Sequence, residues 1–173
     1  TFFVSAFSLI RILYAQNKSI KLLLGIEKYV FYIYIRIMAY CYYQHLGGYM
    51  DKIEIKTNKA PAAIGPYSQA VKSGNLIFIS GQIPVNPVSN EIADTIEKQA
   101  HQVFNNIKGI FSECGLDFSN VIKTTVFLTD LNNFAKVNEI YASYFKAPYP
   151  ARSCVEVSKL KGILLEIEAI ASV

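Results

Sequence analysis

From Met50 to Val173 the sequence predicts a mixed α/β domain of a single hydrophobic core. Two segments repeat apolar residues at helical spacing, about 94–114 and about 132–145. Short runs rich in β-branched and aromatic residues lie before, between and after them. All six prolines of the chain fall in this part, at turn positions between the runs. Hydrophobic residues make up 52% and charged residues 17% of the chain, the balance of a packed core rather than of disorder. At 173 residues the chain holds one ordinary domain plus an extension.

The elements follow in order. Lys52 to Thr57 alternates polar and apolar residues and reads as a first strand. Asn58 to Gln69 contains Pro61, Gly65 and Pro66 and reads as an ordered loop. Ala70–Ser73 and Leu76–Gly81 are short β-type runs joined at Gly74-Asn75, a hairpin signal. Pro84 to Asn90 is turn-rich. Ile96, Ala100, Val103, Phe104, Ile107, Ile110, Phe111 and Cys114 form one helical stripe, and Gly115 is placed to end it. Val121 to Leu128 is a strand. Thr129, Asp130 or Asn132 then caps a second helix whose stripe is Phe134, Val137, Ile140, Tyr141 and Tyr144. Pro148 and Pro150 stop that helix. Ser153–Val157 and Leu164–Ala171 are the last strands, so the predicted order is β, β, β, α, β, α, β, β, with no internal repeat.

Residues 1–49 are of a different kind. Eight of the twelve tyrosines lie there, and no proline. The run Tyr29 to Tyr43 is apolar but short for a spanning helix, which needs about 20 residues. Its central Arg36 costs roughly 2.5 kcal/mol or more on insertion. No small-residue cleavage site follows it, and a transit peptide would carry more Arg and Ser. The segment reads best as sequence upstream of a domain start at Met50, without a selected function. A targeting or membrane-associated role is the alternative.

Charge and cysteines narrow the function classes. Five of the seventeen Lys and Arg residues and one of the thirteen acids lie in 1–49, which leaves twelve of each sign in 50–173. The net charge of +4 therefore sits in the extension. A neutral domain offers no global footprint for nucleic acid. Cys41, Cys114 and Cys154 have no metal-ligand or disulfide spacing and fit reduced thiols in a cytoplasmic compartment. With only His45 and His101, a His-based metal site or a Ser/His/Asp arrangement has little to draw on. His101 lies among Gln99 and Gln102 and reads as exposed. Phosphate-loop, dinucleotide-binding and His-Glu-x-x-His patterns are missing, and Ser80 lacks the context of a nucleophile elbow.

Four segments carry candidate chemistry. In Pro150-Ala151-Arg152-Ser153-Cys154-Val155-Glu156, Arg152 enters a strand beside a proline-stiffened loop and can offer a planar fork to a carboxylate. The plainer alternative is an exposed strand-end arginine. Cys154 and Glu156 share its side of the pleat. In Leu164 to Ala171, Glu166 and Glu168 share one face and either can supply a general base; a solvated outer face is the alternative. Gly65-Pro66 makes a fixed turn that aims Tyr67 inward, toward a ligand or into the core. Ser80-Gly81 ends a strand where a glycine allows close approach to a ligand, or simply turns the chain.

The same segments resemble the RidA family, also called YjgF or L-PSP. The matching strings are Ala60 to Gln69, Ser80-Gly81-Gln82-Ile83-Pro84, Lys123 to Leu131, Tyr149-Pro150-Ala151-Arg152-Ser153 and Glu166 to Ala171, in the family's order and spacing. Together they cover essentially all of 50–173 and none of 1–49. The resemblance implies an α+β, chorismate-mutase-like (YjgF-type) single domain, a mixed β-sheet packed against two helices, assembled as a homotrimer with clefts between subunits. It implies hydrolysis of 2-aminoacrylate and 2-iminobutanoate to 2-keto acids and ammonia, with no cofactor and no metal. It further implies that Arg152 pairs with the substrate carboxylate and that Glu166 handles the attacking water, with Tyr67, Ser80, Gly81, Asn138 and Cys154 lining the cleft. The loop Lys146-Ala147-Pro148-Tyr149 is shorter than in the family's longer forms, which bears on cleft shape. An RNA-acting protein, as the older endoribonuclease label suggests, and a non-enzymatic ligand-binding trimer are the competing classes.

Overall fold

The computed structural model describes residues 32–39 and 52–173. The chain divides between Tyr49 and Met50 into two parts. In the first part residues 32–39 are helical, with Tyr32, Ile33, Tyr34, Ile35 and Ile37 exposed. The Arg36 guanidinium lies 5.5 Å from the centroid of the Tyr32 ring, as the one-turn spacing of a helix face allows. The rest of the apolar run from Tyr29 to Tyr43, with Cys41 and His45, lies outside the described residues. Among the described residues no helix is long and apolar enough to cross a membrane.

The second part is built on one six-stranded sheet. Its strands are β1 (Lys52–Ile55), β2 (Ala70–Ser73), β3 (Leu76–Gln82), β4 (Val121–Leu128), β5 (Ala151–Glu156) and β6 (Leu165–Ser172). They lie in the order β1-β2-β3-β6-β4-β5. All neighbours are antiparallel except β4 and β5. A parallel pair needs a crossover, and the helix between β4 and β5 provides it. Two helices, α1 (Ile96–Glu113) and α2 (Phe134–Tyr144), cover one face of the sheet.

Each element has a local cause. The two-residue Gly74-Asn75 loop joins Ser73 to Leu76, and Gly74 takes φ 60°, which a side chain would resist. Thr95 caps α1 by accepting from the Lys98 N–H. Gly115 ends that helix at φ 68°, and the Leu116 N–H returns to the Phe111 carbonyl at 3.0 Å. Asp130 caps a 3₁₀ turn, Leu131–Asn133, that leads into α2. That turn delays α2 by two residues relative to the sequence expectation. β1 also stops early, at Ile55. The Thr57 N–H bonds the Gln69 side-chain oxygen at 2.8 Å instead of a neighbouring strand.

The core lies between the helices and alternate residues of β3, β4 and β6. Ile77, Ile79, Val126, Leu128, Leu165, Ile167, Ala169 and Ala171 meet the α1 stripe there. Burial of this kind is the main favourable term in folding. Phe104 stacks on Tyr144 with centroids 4.4 Å apart and joins α1 to α2. Three buried polar side chains are satisfied. Gln69 donates to the carbonyls of Thr57, Ala60 and Pro61. Asn106 donates to those of Ile83 and Val85. Gln99 donates to Ala93 and accepts from the Leu164 N–H. These bonds pin the loops before β2 and after β3 and fix the entry to β6. His101 is exposed, as its polar neighbours suggested, and bonds the Tyr144 hydroxyl at 2.9 Å.

Candidate active site

The predicted site residues fall into two groups, one on each face of the sheet. β5 begins at Ala151, two residues earlier than expected, so Arg152 stands inside the ladder opposite Thr124. Thr124 is buried on the helix-covered face. Arg152, Cys154 and Glu156 therefore point to that face, where α2 lies. The Arg152 guanidinium carbon is 4.6 Å from the Tyr141 ring centroid and 5.6 Å from that of Phe134. Asn138 is exposed on α2 between those two rings, four residues after Phe134 and three before Tyr141. No ion pair holds Arg152 among the described residues.

Cys154 is half-buried beside Arg152. Burial pushes its thiol up, and the Arg152 charge opposes that shift. Glu156 is turned to a structural task, accepting from the Leu131 N–H at 2.8 Å.

Glu166 belongs to the other group. It pairs with Phe127 of β4, while its neighbours Leu165 and Ile167 enter the core. Its side chain accordingly emerges on the face away from the helices. The carboxyl is half-buried against the backbone of Gly81, at a spot where any Cβ on residue 81 would collide with it. Burial, and after it the nearby Glu168, hold Glu166 above the ordinary carboxylate range. Glu168 shares this face but is exposed. Of the two carboxylates that alternation left equivalent, Glu166 is thus the one in a distinct environment.

Ser80 and Gly81 form a bulge. Ile79 pairs with Ala169 and Gln82 with Ile167, so β3 carries one residue more than β6 between those pairs. Bulges redirect side chains locally. The Ser80 hydroxyl donates to the Ser68 carbonyl at 2.7 Å, which draws the Tyr67 loop alongside.

Tyr67 itself departs from expectation. It is 53% exposed rather than aimed inward. Gly65 at φ 136° folds the loop back, and the phenol oxygen accepts from the Ile64 N–H at 3.3 Å. Phe134 departs as well: it was expected in the core stripe of α2 but is 39% exposed and faces Arg152. Thr124, Phe134 and Tyr141 were not singled out as site residues. The available signal was the spacing that puts Phe134 and Tyr141 on one helix face with Asn138, a residue that the family resemblance names; the stripe by itself reads Phe134 and Tyr141 as core.

Ser80, Gly81 and Glu166 thus lie together on the open face, with Tyr67 in the loop that Ser80 ties down through Ser68, and Asn138, Arg152 and Cys154 lie on the helix face. The first group can move a proton at a half-buried carboxyl, and the second can grip an anion. Among the described residues no group of His, Cys, Asp and Glu has metal-binding geometry.

Known proteins are similar to this chain over its second part. The family described as Endoribonuclease L-PSP matches residues 57–173. A RutC family protein of Pyrococcus abyssi is 53% identical over 124 residues, 70% of this chain and 98% of the relative. The 2-iminobutanoate/2-iminopropanoate deaminase of Escherichia coli K12 is 52% identical over 121 residues, 68% of this chain and 94% of the relative. Among solved structures, Escherichia coli TdcF with bound serine matches with a TM-score of 0.67 at 50% identity, covering 70% of this chain and 98% of TdcF.

Proposed function

This chain belongs to the RidA family, described as Endoribonuclease L-PSP, and on that premise we propose that it hydrolyses small 2-imino acids and their enamine tautomers to 2-keto acids and ammonia. The observation that carries the reading is the state of Arg152. Its guanidinium is held by two aromatic rings and by no carboxylate among the described residues, so its donor edge is free for a ligand carboxylate. The serine bound by TdcF, half of whose residues this chain shares, carries such a carboxylate.

The chemistry asks little more. The enamine first becomes the imine by proton transfer to carbon. Water then adds to the imine carbon, giving up a proton as the new C–O bond forms. Glu166 takes that proton and passes it to the nitrogen, giving a carbinolamine; it then carries the hydroxyl proton to the same nitrogen, and ammonia leaves as the C–N bond breaks and the C=O bond forms. A carboxyl raised by burial is suited to both steps, since it sits nearer neutrality than an ordinary glutamate. Tyr67, Ser80, Gly81, Asn138 and Cys154 would line the cleft around these two residues.

Within one chain Arg152 and Glu166 lie on opposite faces of the sheet, so a cleft containing both draws them from two copies. We infer the chorismate-mutase-like homotrimer with clefts between subunits on this ground. Partly exposed apolar residues on the open face, such as Phe78, support it.

The test generates 2-aminoacrylate in place with a serine/threonine dehydratase and follows its disappearance. The protein should accelerate the loss, and Arg152→Ala should reduce that effect on the order of a hundredfold, as removal of a charged hydrogen-bonding partner does. Unchanged turnover in the variant rejects the carboxylate role. Binding of 2-ketobutyrate with no imine turnover would instead identify a ligand-binding protein.

A further inference from the structure

We propose that Tyr141, pinned by Thr124, is a positioning residue that fixes the plane of the Arg152 guanidinium and so selects for a planar carboxylate. The inference rests on the deaminase reading and adds to it the device that prepares its anion site.

An exposed arginine has many rotamers, whereas a two-point grip on a carboxylate works only in the guanidinium plane. Something must therefore choose that plane. An ion pair with a protein carboxylate would do so, but it would occupy the donor edge that the ligand needs. Stacking on an aromatic ring uses the face of the cation and leaves its N–H edge open.

The geometry places an aromatic ring where it can serve this purpose. Arg152 and Thr124 are direct partners across β5 and β4. The Thr124 hydroxyl lies 2.9 Å from the Tyr141 hydroxyl, and both residues are buried. The Tyr141 ring is wedged between Phe145 at 4.4 Å and Phe104 at 5.9 Å. Its hydroxyl end and its ring are thus both fixed, and Arg152 lies 4.6 Å from that ring. The contacts close a loop: Arg152 to Tyr141, Tyr141 to Thr124, and Thr124 back to Arg152 across the ladder. Phe134 adds a second wall at 5.6 Å.

The experiment uses the full chain and two readouts. The first is the Arg152 side-chain N–H signal by NMR, assigned by its loss in Arg152→Ala. In the parent the ring should shift it away from the free-arginine position. Tyr141→Leu should return it, and Phe134→Leu, at the more exposed wall, should return it partway. The second is kinetic. KM for the imine and Kd for 2-ketobutyrate should rise about tenfold in Tyr141→Leu, the scale of one desolvated cation–π contact, with kcat held. Tyr141→Phe and Thr124→Val should each show a smaller rise, and the double variant no more than either, because both remove the same bond. An Arg152 signal unmoved by both Tyr141→Leu and Phe134→Leu overturns the inference, as does a fall in kcat at unchanged KM. A signal that depends on Tyr141, in a protein whose imine turnover ignores Arg152→Ala, upholds the positioning and refutes the deaminase reading instead.

Discussion

Arg152 and Glu166 project from opposite faces of one sheet. Arg152 pairs with buried Thr124 of β4, and Glu166 with Phe127 of the same strand, three residues away. Because 124 and 127 differ by an odd number, their side chains alternate to different faces. The proposed cleft, which uses both residues, would therefore draw them from two copies.

Mixing two impaired variants tests this arrangement. Arg152→Ala and Glu166→Gln should each retain about a hundredth of the parent turnover or less. Unfolded and refolded together in equal amounts, they should regain about a quarter of the parent turnover, the fraction of clefts that draw both intact residues from different copies of a cyclic oligomer. No recovery would place both residues of a cleft on the same chain.

The raised Glu166 carboxyl predicts a pH profile. Its burial, and then Glu168, hold the proton on above the ordinary carboxylate range. As a general base it works only when deprotonated, so kcat/KM should fall on the acid side at a higher pH than an ordinary glutamate would give. Glu168→Gln removes the second cause and should move that limb toward lower pH. For stability the sign is opposite to a salt-bridged acid. The folded state holds the proton more tightly than the unfolded chain, so stability falls as pH rises from the ordinary range through the raised value. Glu166→Gln should flatten that decline in denaturation midpoints measured across pH.

Gly81→Ala separates the site from the fold. The added methyl would strike the Glu166 carboxyl, which is the movable end of a side chain. Thermal stability should change little, while kcat falls about ten- to a hundredfold through displacement of the carboxyl. A parent-like kcat would show that Glu166 need not sit against residue 81.

Asn106→Leu tests a buried structural residue outside the candidate site. The substitution strands the Ile83 and Val85 carbonyls, now bonded at 2.9 and 3.0 Å. A loss of about 2 kcal/mol is expected in urea unfolding, the scale of unsatisfied partly buried acceptors. A smaller loss would mean that water reaches those carbonyls.

Much of this protein is legible in one dimension. The α1 stripe, the Gly74 hairpin, the Gly115 stop and the alternation of Glu166 and Glu168 each depend on neighbours a few residues apart, and local geometry fixes them. The family follows from five short strings in order. What the sequence could not supply was any relation that crosses strands. Alternation sets the phase within β5 and within β6, but only their common pairing with β4 decides that Arg152 and Glu166 face opposite ways. Phe134 has the same apolar character as its neighbours on α2, and only the position of β5 turns it from core toward Arg152. Tyr67 looked inward until the positive φ of Gly65 folded its loop back. Short-range rules thus determined which elements form and which residues are candidates for chemistry. Long-range pairing and packing decided which of those residues meet, because a strand's side chains acquire a common face only when the neighbouring strand fixes their register.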